Sequence, residues 1–402
     1  MKKTIIFYAV LVASVFIPSQ SRSDEFIKFG CVEALTGRFK EVGHRYYEGT
    51  RYAAQVINQQ GGLLGRKVKV IPIDCELKPK VASLRMSKAI LKDNIKFFGK
   101  GISSKVMGAM ASLAKEHNVI AISYGTEAAS LTGKKCNRNF FRCSMNTDMH
   151  SNALAVWVAK FGSKKIFGIA QDYSFGREAM SAFKKKLAEL KPSAEIVGEV
   201  YHKMGETDFA PYISRIIASQ ADIVFTPNFG SDLRLFLKQA NQLGMRARII
   251  SYYLTDNTVI ESLENNDAVI GSIAAECYML PVPTQKSKLF ADRYYKEFGV
   301  YPASARAKSY MAVMFWAEAV KKAGTDNVDA VITAWEGLTY ESLTGKQYMR
   351  PFDHQNQMPA WIGEIVKKNR FFKHPYIDKA VMIPAKDVSV PVEETGCLGI
   401  AR

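Results

Sequence analysis

Between residues 26 and 74 the period of apolar positions changes twice. Ile27 to Glu33 is rich in β-branched and aromatic residues and ends at Ala34-Leu35-Thr36-Gly37, where turn chemistry takes over, so it reads as a strand. From Gly43 onward Tyr46, Thr50, Ala53 and Ile57 fall at i, i+4, i+7 and i+11, one face of a helix able to lie on a sheet. Gly61-Gly62 stop that helix, and Val68 to Asp74 returns as a second strand. The order predicts a right-handed βαβ unit with parallel strands. Ligands of such sheets sit beyond the carboxyl ends of the strands, so the loop Leu35 to Gly43 points at a site.

The alternation continues. A helix is expected from about Lys80 to Lys92, then the strand Ile95 to Phe98, the turn Gly99-Lys100-Gly101-Ile102-Ser103-Ser104, a helix running to His117 and the strand Val119 to Ser123. That strand delivers Tyr124-Gly125-Thr126-Glu127 to the same rim. Small residues and hydroxyls between a strand end and a helix start let an anion meet free backbone N–H groups, so Ser103 or Ser104 either binds a ligand carboxylate or is only an N-cap. At Phe141 to Ser144 the chain leaves this unit. A second series follows: helix Thr147 to Phe161, strand Lys165 to Ala170, loop Gln171 to Gly176, helix Arg177 to Leu190, strand Glu195 to Tyr201, helix Phe209 to Ser219, strand Asp222 to Thr226, helix Ser231 to Leu243 and strand Arg248 to Tyr252. A strand from Gly271 runs into Pro281-Val282-Pro283, a second crossing, and helices follow at Ser287 to Phe298, Ala303 to Ala323 and Val328 to Gly337. A third crossing is expected at Pro351 to Met358. The pattern predicts an α/β protein of two doubly wound parallel-sheet lobes, both discontinuous in sequence, joined by three hinge strands around a cleft. The expected division is residues 24–143 plus 280–350, residues 144–279 plus 351–390, and a tail from 391 to 402.

The chain opens with Met1-Lys2-Lys3, an apolar run Ile5 to Ile17, Pro18 and Ser21-Arg22-Ser23, a secretory signal with cleavage expected after Ser23. That run is too short to span a bilayer, and Cys31 lies inside the first strand, where a lipid anchor is not expected. Export to the periplasm follows. Removing Lys2, Lys3 and Arg22 takes the formal charge from +17 to 17 − 3 = +14. The basic residues are scattered and form no block, so nucleic acid is not expected as a partner, and solvated faces with a mild attraction for anions are. Six cysteines in an exported chain permit disulfides. Cys136 and Cys143, with six residues between them in a polar loop, are the first expected pair. Cys31 with Cys75, and Cys277 with Cys397, are the others, the alternative for these two being reduced buried thiols.

Catalytic chemistry finds little support. His44, His117, His150, His202, His354 and His374 are dispersed without metal-ligand spacing, and there is no CxxC, GxSxG or Walker sequence. Gly99-x-Gly101 lacks the rest of a dinucleotide fingerprint. Asp172, Asp208, Asp256 and Glu127 are available acids, but spacing gives no reason to pair any two. No metal, no cofactor and no catalytic residue is nominated, and the weight moves to binding.

The start IKFGCVEALTGRFKEVGHRYYEGTRYAAQVINQQGGLLGRKVKVIPID, the strand-end GKGISS, the loop QDYSFGRE and the run TDFAPYISRIIASQADIVFTPNFGSDLRLFLKQANQLGM together resemble the periplasmic solute-binding proteins of branched-chain amino acid ABC transporters. The resemblance implies a two-lobed clamp, monomeric, that captures a small molecule and presents it to an ABC-type permease. It implies that Ser103 takes the family's first-lobe serine and Gly125 a backbone role, while Glu127 takes the place of the family's threonine beside Thr126. Val42 stands where a tyrosine commonly lines the pocket. Phe175 and Phe229 take aromatic places of the second lobe, with Tyr173, Tyr252 and Tyr253 extending the wall. Tyr253 falls where the family has the acid that receives the α-ammonium. Either Glu127 or Asp256 then substitutes, or the ligand, an amino acid or an apolar or aromatic carboxylate, lacks an ammonium. A ligand-sensing partner of a membrane receptor with the same fold is the alternative function, and an exported enzyme would need a nucleophile that the sequence does not nominate.

Overall fold

The computed structural model describes residues 25–161, 165–263 and 266–400. The expected signal peptide, residues 1–23, lies outside them. The first lobe is built from β1 (Phe26–Glu33), α1 (Lys40–Gln59), β2 (Lys67–Asp74), α2 (Pro79–Asp93), β3 (Phe97–Lys100), α3 (Ser104–Glu116), β4 (Ile120–Ser123) and β5 (Phe140–Arg142). Its five strands are all parallel, in the order β2-β1-β3-β4-β5. β3 and β4 are buried on both faces, as parallel strands between helices must be. β2 is the edge strand, which is why it accommodates Pro72. Alternation sorts β1's side chains: Phe29 faces the core under α1, and Val32 faces the core under α2 and α3.

The second lobe takes α4 (Thr147–Phe161), β6 (Lys165–Gln171), α5 (Ser174–Leu190), β7 (Glu195–His202), α6 (Ala210–Ala218), β8 (Ile223–Thr226), α7 (Gly230–Gln242), β9 (Arg248–Ser251), α8 (Asn257–Glu261) and β10 (Ile273–Glu276). The chain then returns to the first lobe with α9 (Gln285–Phe298), α10 (Ser304–Ala323) and α11 (Val328–Trp335). Trp316 of α10 lies 5.1 Å from Phe29 and 5.0 Å from Phe97, ring centre to ring centre, and so closes that core. Next come β11 (Thr339–Ser342), β12 (Gly345–Met349), β13 (Asn356–Gln357), β14 (Ala360–Val366), β15 (Tyr376–Ile377), β16 (Val381–Ile383) and α12 (Ala385–Val388). β14 joins the second sheet antiparallel to β10, giving the order β15-β14-β10-β9-β8-β6-β7 with β16 also on β14. At the third crossing β13 pairs with β12 to complete a separate three-stranded antiparallel sheet. This crossing also runs beside the first: Arg142 N–H donates to the His354 carbonyl at 3.0 Å, and Gln355 Nε2 donates to the Ser144 carbonyl at 2.9 Å. The hinge is therefore a hydrogen-bonded bundle of strands.

The cysteine expectations are corrected. The disulfide joins Cys136 to Cys397, 261 residues apart, with Cα atoms at 5.8 Å. Cys136 does not pair with Cys143, because Cys143 follows β5 into the buried core while Cys136 sits in the outer loop that the C-terminal tail crosses. Cys31 does not pair with Cys75, because the two thiols lie on opposite faces of the sheet: Cys31 meets Thr50 and Tyr124, and Cys75 lies in the core under α2 and α3 beside Lys100. Cys277 is buried and reduced at the end of β10, and Cys397 is already taken. Thiol counting under denaturing conditions checks this: four reactive thiols before reduction and six after are expected, and two before reduction would contradict the assignment.

Candidate functional site

The carboxyl ends of the strands of both sheets face one another across a single cavity. Its empty volume, about 540 Å³ with the part open to solvent included, suits a small solute. Val42, Ser103, Ser104, Gly125, Thr126 and Glu127 from the first lobe, and Tyr173, Phe175, Phe229, Tyr253 and Asp256 from the second, line the cavity as expected, whereas Tyr252, expected in the aromatic wall, is buried behind it with its hydroxyl on Ser151 Oγ. The structure adds Tyr46, Gly101, Ser304 and Lys308 among others. Tyr46 lies against two strand-end glycines, since a Cβ on Gly101 would stand 2.4 Å from its ring and one on Gly125 2.1 Å from its hydroxyl. Only glycine admits this approach, so the close packing of α1 on the strand ends fixes both residues. Glu33, at the end of β1, holds the same turn by accepting from the Gly101 N–H, and burial pushes its carboxyl up to about 7.

Four helices begin at the cavity wall: α3 behind Ser103, α5 behind Tyr173, α7 behind Phe229 and α10 at Ser304. Ser103 is held at φ +72°, a left-handed conformation that costs about 1 kcal/mol or more, and its hydroxyl caps α3 by accepting from the Val106 N–H at 3.4 Å. The starts of α5, α7 and α10 have no side-chain cap. Helix starts carry orphan N–H groups and the positive end of the helix dipole, so this wall favours an anion. Thr126 is less available than expected, because its hydroxyl is bonded to Ser123 Oγ at 2.6 Å.

Beside these starts lies a fully buried cluster. Lys308 of α10 donates to Glu276 Oε2 at 2.6 Å and to Glu127 Oε1 at 3.3 Å. His150 of α4 stands with Nε2 3.4 Å from Glu127 Oε2 and 3.5 Å from Glu276 Oε1. Burial alone would raise the Glu127 carboxyl, but the charges of His150 and Lys308 overcome it and hold it to about 2, ionised at any ordinary pH. One nitrogen and two oxygens from Glu127, His150 and Glu276 fall within 4.8 Å of one another. The ammonium of Lys308 already supplies positive charge among them, so the cluster is an ion-pair network, in which Glu127 Oε2 has no hydrogen-bond donor among the described residues. Asp256, the other acid in the cavity, is ion-paired across the cleft to Arg45 of α1 at 2.8 Å. Arg38 makes a second link, donating to Ser231 Oγ and to the Gly205 carbonyl, each at 2.9 Å. Asp172 is spent on Arg177 at 2.7 Å, and Asp208 is exposed and caps α6.

Lys308, His150, Glu276 and Arg45 are the residues that the sequence reading missed. A signal for Lys308 exists, since Ser304, Lys308, Met311 and Phe315 fall at i, i+4, i+7 and i+11 on the buried face of α10. A lysine on an apolar face needs a buried partner.

A family model described as "Periplasmic binding protein" matches residues 27–370. The chain is 28% identical over 363 residues to the Leu/Ile/Val-binding protein homolog 4 of Brucella melitensis, covering 87% of this chain and 86% of that one. It superposes with TM-score 0.85 on the closed conformation of a leucine-, isoleucine-, valine-, threonine- and alanine-binding protein from Brucella ovis, at 26% identity over 94% of this chain and 99% of that one. A solute-binding protein of an ABC transporter from Rhodopseudomonas palustris, in complex with 3,4-dihydroxybenzoic acid, shares the fold with TM-score 0.83 at 24% identity, covering 92% of this chain and 100% of that one.

The Arg45–Asp256 pair exists only while the lobes are together. Arg45→Met and Asp256→Asn should each weaken binding of a cleft ligand by about tenfold, and a double-mutant cycle should show a coupling of about 1 kcal/mol. Strict additivity of the two would contradict the latch.

Proposed function

The chain belongs to the periplasmic binding protein family, and we propose that this solute-binding receptor of an ABC importer captures a small zwitterionic amino acid. The observation that carries the reading is the polarity of one closed cavity, in which helix starts that favour a carboxylate share the wall with an ionised Glu127 able to receive an ammonium. Glu127 takes this part because Tyr253 carries no charge there, burial pushing its hydroxyl well above the phenol range, and because Asp256 is spent on Arg45. Two of the three relatives named above record amino acid binding in their names, and the third, in complex with 3,4-dihydroxybenzoic acid, records an aromatic acid. Ser103, Ser104 and the Gly125 backbone are assigned to the carboxylate, and Val42, Phe175 and Phe229 to the side chain. The lobes divide as residues 24–143 with 280–350 and residues 144–279 with 351–390. The signal peptide sends the chain to the periplasm, where it hands its ligand to a membrane permease and catalyses nothing. Among the described residues no helix is long and apolar enough to cross a membrane.

A second reading keeps the carboxylate and drops the ammonium. Tyr173, Phe175, Phe229 and Tyr253 form a connected aromatic wall, with ring centres 5.6 to 6.4 Å apart. An aromatic acid would pack on it.

Thermal-shift and calorimetric screening with leucine, valine, alanine, phenylalanine and benzoate separates the two. Saturating amino acid should raise Tm, and Glu127→Gln should weaken amino acid binding by about tenfold or more. Stabilisation by benzoate alone would overturn the amino acid assignment, and stabilisation by none of these would count against the receptor reading itself.

A further inference from the structure

The four-charge cluster divides between the lobes. Glu127 and Lys308 belong to the first, His150 and Glu276 to the second. Each lobe thus holds one acid and one base, and each base also reaches the acid of the other lobe: Lys308 reaches Glu276 at 2.6 Å, and His150 reaches Glu127 at 3.4 Å. Around the square each charge has opposite charges as neighbours only if His150 is an imidazolium.

The hydrogen bonding of the ring decides that point. His150 Nδ1 lies 3.2 Å from the Ala275 carbonyl, which can only accept, so Nδ1 carries a hydrogen. A neutral ring would then turn the Nε2 lone pair on Glu127 Oε2 and Glu276 Oε1, two carboxylate oxygens at 3.4 and 3.5 Å in full burial. A protonated ring sets a positive charge within ion-pair distance of both, without the alignment of a hydrogen bond. The other groups around it do not supply this proton's charge. Lys308 is committed to the outer oxygens of the same two acids, and Tyr252, whose ring stacks on His150 at 4.5 Å, is neutral and bonds to Ser151 Oγ at 2.5 Å. Tyr46 of α1, Tyr253 after β9 and Cys277 after β10 are pushed upward by burial and stay neutral, and Asp148 on α4 itself interacts with Glu178, Arg142 and Lys185 instead.

We propose that His150 is a positioning residue that couples closure of the cleft to uptake of one proton. As imidazolium it ties the second lobe to Glu127 of the first; as neutral imidazole it sets a lone pair against two carboxylates and loosens the closed form. The inference rests on the receptor reading above and adds a pH dependence to it. In the open form His150 loses Glu127 as a partner, so its affinity for the proton falls. In the closed form burial works to lower its pKa, but the Glu127 and Glu276 charges win and raise it above the ordinary 6.5. A raised pKa gives a contribution that is fully present below the open-form value and is lost as pH rises through the closed-form value.

The test is ligand affinity by calorimetry from about pH 5.5 to about pH 9, for the amino acid that the screen selects. In the wild type affinity should fall with rising pH by up to about tenfold per unit within the window, with proton uptake visible as a dependence on buffer ionisation heat. His150→Gln should flatten the profile, and Glu276→Gln, which removes one of the two facing carboxylates, should move the window to lower pH. A flat wild-type profile, or an unchanged slope in His150→Gln, overturns the proposal while leaving amino acid binding intact. Failure of the receptor reading looks different, as no binding at any pH. An NMR titration of the His150 ring with and without saturating ligand then decides: a ring that titrates higher in the saturated protein supports the proposal, and one that titrates at the same pH in both overturns it.

Discussion

Two carboxylates, an ammonium and an imidazole meet in full burial where the two lobes touch, and the cleft depends on keeping those four charges paired. A buried charge whose partner is removed costs about 3 to 5 kcal/mol, far more than an exposed pair returns. Glu127, Glu276 and Lys308 can be buried together because each has an opposite charge in contact. The glycine turn of the first lobe, the hinge end of β10 and the start of α10 are placed so that this contact is made when the lobes close. Arg45 with Asp256, and Arg38 with the loop at Gly205, repeat the device nearer the rim, where solvent weakens it.

Around this fixed cluster the ligand sees two kinds of surface. Uncapped helix starts offer N–H groups and positive dipole ends to a carboxylate, and aromatic rings of the second lobe offer an apolar wall. Neither discriminates sharply by itself. In the proposed amino acid reading discrimination rests on Glu127, which its buried partners hold ionised and which an uncharged or purely anionic solute leaves without benefit. A ligand favours the closed form only through contacts that the open form lacks, so the second lobe's Phe175, Phe229 and Tyr253 matter as much as the first lobe's serines.

Much of this is legible in the sequence, for identifiable reasons. Strand-helix alternation is a local pattern, and the strand-end rule then points to Ser103, Gly125 and Glu127 without any knowledge of the lobes' orientation, while Phe229 is reached only through the family resemblance. Partnerships over long separations are not legible. Glu127 meets Lys308 across 181 residues, and Cys136 meets Cys397 across 261. The nearer pairing of Cys136 with Cys143 looks natural in the chain, but β5 turns Cys143 into the core. The expectation that the histidines are dispersed and structural describes their spacing well, yet spacing cannot show that His150 comes to rest between two acids from opposite sides of a cleft. Asp256 is in the cavity as expected, and only the fold reveals that Arg45 has claimed it.

Small-angle X-ray scattering of the protein without ligand and saturated with amino acid at about pH 6, where His150 is charged, tests the central claim most directly. Closure of two lobes about a hydrogen-bonded hinge predicts a smaller radius of gyration on saturation and a loss of that contraction in Glu127→Gln. A radius unchanged by saturating ligand would contradict it.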